Sequence, residues 1–219
     1  GAYMRFGDGD VYLLKGSKDA YQSYDKYLAH EMLEAFQLSS NNIHKCLAIH
    51  SHKYGFDEGM VDGNHLVSNE QANYLLKNTF KYFIGEKIYS PVALHHTITS
   101  DFDLALNFLK ILKLKSSVFI GNESNNESIL NSLFGNFKWI KTPSRNAYSD
   151  IDRIFFEACE FLENNEKFSV VVIAMGCSGR PLMKRLVKKN FNSYYFDFGS
   201  LLDGFNGNIS RTWLKLNDI

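Results

Sequence analysis

Ser169-Val170-Val171-Val172-Ile173-Ala174-Met175-Gly176-Cys177-Ser178-Gly179-Arg180 is the stretch that decides the fold class of this chain. Its first half is an unbroken apolar, β-branched run, the pattern of a strand covered on both faces. Its second half is a row of small residues that turns the chain and opens a helix. A strand that feeds a helix in this way predicts a right-handed crossover back into a parallel sheet. The glycines allow two readings: close backbone approach to a phosphate, or tight packing of the helix. Neither GxGxxG nor the P-loop Lys-Ser/Thr is present, so neither named phosphate fingerprint applies.

The same alternation continues outward in both directions. Gly1-Ala2-Tyr3-Met4-Arg5-Phe6, Cys46-Leu47-Ala48-Ile49, Ser117-Val118-Phe119-Ile120, Lys138-Trp139-Ile140 and Tyr194-Tyr195-Phe196 read as strands. Between them lie helix-period segments. Ser68 with Gln71 forms a capping box ahead of Ala72, Leu75, Leu76, Phe80 and Phe83. Ser100 with Asp103 precedes Phe102, Ala105, Leu106, Leu109 and Leu112, and Asp150 opens Ile151, Ile154, Phe155, Ala158 and Leu162. The prediction is an α/β domain: a doubly wound, mainly parallel sheet of Rossmann-like type with helices on both faces. Ligands of such sheets bind outside the carboxyl ends of the strands.

Composition narrows the function. At 219 residues, 45% hydrophobic and with no linker-like run, the chain is expected to be one domain spanning 1–219. Its strand-like start is expected to mark a domain excised from a larger protein. Lys+Arg and Asp+Glu are both 24, a balance that argues against nucleic-acid binding. Cys46, Cys159 and Cys177 form neither a metal pair nor a disulfide framework, which points to a reducing, cytoplasmic setting. Cys159 and Cys177 sit among apolar neighbours and are expected to be buried structural thiols. The most apolar run, 168–175, is too short for a transmembrane segment.

Four segments can carry chemistry. In Arg5-Phe6-Gly7-Asp8-Gly9-Asp10 two carboxylates at i and i+2 can converge on one hard cation, with Arg5 beside them for a phosphate. Gly-Asp-Gly-Asp is also ordinary turn chemistry. Thr142-Pro143-Ser144-Arg145-Asn146-Ala147-Tyr148 is a polar strand-to-helix loop that can face an anion. The glycine turn at Gly176 is the third. Asp197 stands fourth, at the carboxyl tip of a strand. A competing constellation is His50-Ser51-His52 with Asp57, Asp62, His65, His95 and His96. It would make a zinc-dependent hydrolase, but no spacing completes a zinc pattern.

Together these segments resemble the GT-D fold glycosyltransferases, in order and over nearly the whole chain. The 5–10 stretch is similar to the family's RFGDGE signature, with Asp10 in place of Glu. Residues 21–28 are similar to its FQxYDxxL segment, 143–148 to its PSxNAF/Y loop, 173–176 to its LxALGP segment, and Asp197-Phe198-Gly199 to the start of its DxGH terminus. Ser200 stands where the family often has His, and Cys177 where it has Pro.

The resemblance implies transfer of a hexosyl or deoxyhexosyl group from a UDP- or dTDP-sugar to an acceptor hydroxyl. Asp8 and Asp10 would be the catalytic pair and would hold Mn²⁺ or Mg²⁺. Arg5, Gly7, Ser144, Asn146, Gly176 and Asp197 would contact the donor. The expected acceptor is a bacterial glycan, lipid-linked or glycoprotein, reached in the cytoplasm or at the inner membrane face alongside other glycosyltransferase modules in polysaccharide biosynthesis. Asp101, His96 and His50 are candidate general bases. The alternatives are the His50/His52 hydrolase and a catalytically silent nucleotide-binding module.

Overall fold

The computed structural model describes residues 1–48, 74, 77, 79, 88–89, 101–165, 167–199 and 201–207. They form a seven-stranded sheet of order β3-β2-β1-β7-β6-β4-β5. The strands are β1 (Ala2–Gly7), β2 (Ile43–Ala48), β3 (Ile88–Tyr89), β4 (Ser116–Asn122), β5 (Lys138–Thr142), β6 (Ser169–Ala174) and β7 (Ser193–Asp197). Every pairing is parallel. Helices among the described residues are α1 (Asp8–Leu14), α2 (Lys26–Gln37), α3 (Phe102–Lys115), α4 (Glu127–Phe134), α5 (Ile151–Glu163), α6 (Gly179–Lys189) and α7 (Leu201–Phe205). None of these is long and apolar enough to cross a membrane.

The period of two along each strand divides the core between the two faces of the sheet. Ala2, Met4 and Phe6 of β1 and Val118 and Ile120 of β4 pack with α1, α2, α5 and α6. Phe119, Val172 and Phe196 point the other way, against α3, α4 and α7. Phe6 lies 4.0 Å from Phe36 of α2 between ring centroids, and Phe119 stacks on Phe134 of α4 at 5.4 Å. Each fully buried ring of this kind contributes on the order of 2–3 kcal/mol.

Local chemistry explains the helix bounds. Asp25 caps α2, its carboxylate accepting from the N–H groups of Tyr27 (2.7 Å) and Leu28 (2.9 Å). Leu28, Met32, Ala35 and Phe36 then form the buried stripe. At the other end the buried Lys45 Nζ donates to the Phe36 carbonyl at 2.9 Å, satisfying one of the last helical acceptors. Burial pushes that ammonium down to about 8.

Several expectations need correcting. Gly7-Asp8-Gly9-Asp10 is not a loop, since Asp8–Leu14 is helical. Val11 and Leu13 are buried there, and that burial draws the segment into a helix. The cap of α3 is Asp101, which accepts from Leu104 N at 3.0 Å, so the Ser100–Asp103 pattern marked the start one residue early. Ile88–Tyr89, α1, α2, α4 and α7 are not anticipated from the sequence. In the proposed helix 72–83 only Tyr74, Lys77 and Thr79 are described, all helical.

Candidate functional site

β1, β7 and β6 lie side by side, and their carboxyl ends bring three charged side chains together. Asp10 sits in the first turn of α1, straight after β1. Its side chain is 1% exposed, and its Oδ2 accepts the Gly7 N–H at 2.7 Å. Asp197 ends β7, and its Oδ2 accepts the Arg5 N–H at 3.3 Å. Arg180, in the first turn of α6 beyond β6, places Nη2 3.5 Å from Asp10 Oδ2 and 3.5 Å from Asp197 Oδ2. Its Nη1 donates back to the Gly176 carbonyl. Gly176 itself is left-handed at φ 55°.

The electrostatics follow from burial. Removal from water pushes the Asp10 carboxyl up to about 6, and Asp197 adds to the rise; Arg180, the Gly7 N–H and the Cys177 thiol pull the other way. Burial also raises the Cys177 thiol well above its ordinary value, with Asp10 reinforcing it, so the thiol stays protonated and hydrogen-bonds to Asp10. Burial alone would lower Arg180, but Asp10 and Asp197 outweigh it and hold the guanidinium charged. Cys177 thus flanks the charged site and is less enclosed than Cys159, which is a buried thiol.

Glycines admit the neighbours. A Cβ on Gly9 would stand 2.5 Å from Asp19 Oδ1 and 3.3 Å from Cys177 Sγ. A Cβ on Gly199, at φ +54°, would stand 2.5 Å from Arg5 Nη1. The Arg5 guanidinium thus lies against the turn that follows Asp197.

The loop 15–25 joins this cluster to the 142–148 loop. Asn146, left-handed at φ 53°, donates its N–H to the Tyr21 carbonyl (3.0 Å) and accepts Ser23 N–H on Oδ1 (2.8 Å). Arg145 lies over the Tyr21 ring at 5.7 Å. Buried Gln22 accepts from Ser178 Oγ at 2.9 Å and from Tyr148 N at 3.4 Å, bridging the 142–148 loop to the glycine turn. The Asn146 backbone N–H, of the kind expected to face an anion, and its Oδ1 are thereby both used inside the protein. Ser144 is exposed on the same loop.

The structure thus brings Arg5, Gly7, Asp10, Gly176 and Asp197 to one edge of the sheet, and the loop that carries Asn146 is tied to the glycine turn through the Tyr148–Gln22–Ser178 bridge. The backbone of Asp8 opens α1, while its side chain lies outside the described part. His50, His52, Asp57, Asp62, His65, His95, His96 and Ser200 also lie outside the described residues. Sequence reasoning assigned no role to Arg180, Asp19 or Gln22. A basic residue one turn past a strand-end glycine was the available signal for Arg180.

Among the described side chains no three His, Cys, Asp or Glu converge as a metal cage. Asp10 Oδ1 is nevertheless buried and has no hydrogen-bond partner among the described residues. A hard cation that keeps open positions for phosphate oxygens needs few protein oxygens, and such an unsatisfied carboxylate oxygen fits one.

The comparisons with known proteins agree with this architecture. The family model described as glycosyltransferase GT-D fold matches residues 3–202. A structure described as a new glycosyltransferase from Streptococcus sanguinis superimposes with a TM-score of 0.68 at 19% identity, covering 94% of this chain and 76% of that one. A structure of a domain of unknown function (1792), described as having a distinct glycosyltransferase fold, gives 0.66 at 20% identity, covering 94% and 73%. No curated protein matches the chain.

Proposed function

Because this chain belongs to the GT-D fold glycosyltransferase family, we propose that it transfers a sugar from a nucleoside-diphosphate donor to an acceptor hydroxyl. The observation that carries this reading is the cluster of Asp10, Asp197 and Arg180 at the carboxyl ends of β1, β7 and β6. Such an edge is where α/β sheets bind nucleotides. The donor class is a UDP- or dTDP-hexose or deoxyhexose. The acceptor class is a bacterial glycan, lipid-linked or glycoprotein, used in polysaccharide biosynthesis at the cytoplasmic side of the membrane.

Asp8 and Asp10 would hold Mn²⁺ or Mg²⁺, which when bound supplies charge neutralisation for the departing diphosphate. Arg5, which lies against the Gly199 turn, would give a phosphate a bidentate contact. Asp197 holds the Arg5 backbone and faces the same space, where it can orient the nucleotide or its cation. Ser144 and Asn146 border the donor from the 142–148 loop, whose shape is set by Tyr21, Gln22 and Ser23. The capping bond from Gly7 fixes Asp10 before substrate arrives, so little reorganisation remains for the reaction itself.

The test is release of nucleoside diphosphate from a panel of UDP- and dTDP-sugars with Mn²⁺, with water or added sugars as acceptor. Turnover selective for one donor supports the reading. Absence of turnover and of binding with every donor contradicts it.

A further inference from the structure

The ion pairs that hold the helices together and the one at the donor edge are built differently. Where the molecule uses a buried ion pair for structure, it closes it: Lys184 Nζ is 2.6 Å from Glu31 Oε2, and Arg185 Nη2 is 2.5 Å from Glu31 Oε1. Arg180 instead stands 3.5 Å from both Asp10 and Asp197, beyond the about 2.7–2.9 Å of a formed charge-assisted bond. Spare capacity remains on both sides. Arg180 Nε and Asp10 Oδ1 are each buried without a hydrogen-bond partner among the described residues. Asp10 and Asp197 are 1% and 5% exposed, and Arg180 12%, so water does not readily supply what is missing. The cluster is only partly charge-compensated and incompletely bonded, which is the condition of a site awaiting a cation together with its anionic partner.

We propose that Arg180 is the resident counter-ion of the donor site: it offsets part of the negative charge of Asp10 and Asp197 while no divalent cation is bound, and yields them when one binds, its guanidinium turning to the donor's diphosphate. The inference rests on the transferase reading above. Arg180 lies in the first turn of α6, on the glycine turn after β6, so a change of side-chain rotamer moves its charge without moving the sheet. Its guanidinium and the cation draw on the same two carboxylates and repel each other across them, so the arginine weakens cation binding in the free protein. Once nucleotide is present, the same charge strengthens diphosphate binding.

The test measures Mn²⁺ binding to donor-free protein, and UDP binding at saturating Mn²⁺, in wild type, Arg180→Gln and Arg180→Lys, with melting curves to establish folding. Arg180→Gln is expected to bind Mn²⁺ about tenfold more tightly than wild type and UDP about tenfold less tightly, because a buried positive charge has been removed. Arg180→Lys stays near wild type for Mn²⁺. Equal or weaker Mn²⁺ binding by Arg180→Gln, with wild type binding normally, overturns this inference and leaves the transferase reading standing. Failure of every form to bind Mn²⁺ while UDP still binds removes the cation and this inference together. If Arg180→Gln does not fold, the Arg180 Nε–H signal of ¹⁵N-arginine-labelled wild type decides, assigned by its loss in Arg180→Lys. Added Mg²⁺ is expected to shift that signal, and a signal that stays put while Mg²⁺ binds overturns the proposal.

Discussion

Arg180 Nη2 is equidistant, at 3.5 Å, from Asp10 Oδ2 and Asp197 Oδ2. Those residues are separated along the chain yet meet where β1, β7 and β6 end side by side. One charged group thereby ties α6 to α1 and β7 across the mouth of the sheet. Two further relationships around that mouth, and one at the α2–α6 contact, can each be measured separately.

Gly199→Ala should weaken donor binding more than it slows turnover. The backbone at φ +54° disfavours any side chain, at a cost of about 1–2 kcal/mol. The new methyl would meet Arg5 Nη1 at 2.5 Å and Cζ at 2.9 Å, so the guanidinium must move. The expected result is a Tm lowered by a few degrees and a donor KM raised about tenfold. Unchanged KM in the variant would show that Arg5 does not contact the donor.

Gln22→Leu keeps the volume and removes the bridge between the 142–148 loop and the glycine turn. It strands the Ser178 hydroxyl and the Tyr148 N–H, which Gln22 Oε1 now accepts at 2.9 and 3.4 Å. A buried donor left unpaired costs about 1–3 kcal/mol. Melting should fall by several degrees and donor KM should rise, because both loops border the same mouth. A variant with wild-type Tm and KM would mean that the loops are held by other contacts.

Acid should weaken the α2–α6 contact through Glu31. Burial by itself would raise this carboxyl, but bonds from Arg185, Lys184 and the Tyr148 hydroxyl outweigh it and bring it down to about 2 from an ordinary 4.5. The folded value is depressed, so the stabilisation is fully present above 4.5 and is lost as pH falls from there toward about 2. It is worth at most about 3 kcal/mol at neutral pH. The Tm gap between wild type and Glu31→Gln should be wide at pH 7 and narrow toward pH 3. A gap independent of pH would remove the ion cluster from the account.

How much of this could be read in advance depended on the kind of signal. The apolar runs at 117–120 and 169–173 were legible because strands buried on both faces leave no polar residues to confuse the pattern. The two-residue β3 was too short to leave one. The Gly-Asp-Gly-Asp motif reads as turn chemistry because glycine and aspartate favour turns, yet Asp8–Leu14 is a helix. The helix there depends on tertiary burial of Val11 and Leu13 and on Asp10 reaching back to Gly7, three residues earlier. Asn146 stands out through the resemblance of its loop, yet the bond from its N–H to the Tyr21 carbonyl is backbone to backbone and leaves no mark on residue type. Arg180 was invisible as a partner of Asp10 because nothing local specifies a contact between residues so far apart in the chain.

The central claim is that this sheet edge binds a nucleoside-diphosphate sugar through Asp10 and a divalent cation, and ligand-induced stabilisation tests it most directly. Melting curves are measured for wild type and Asp10→Asn with each UDP- and dTDP-sugar, with Mn²⁺ and with EDTA. Asparagine keeps an oxygen to accept the Gly7 N–H, so the variant is expected to fold. The account predicts that one donor raises the wild-type Tm by several degrees only with Mn²⁺, and that Asp10→Asn loses the rise. The same rise in Asp10→Asn, or no rise in wild type with any nucleotide sugar, would contradict it.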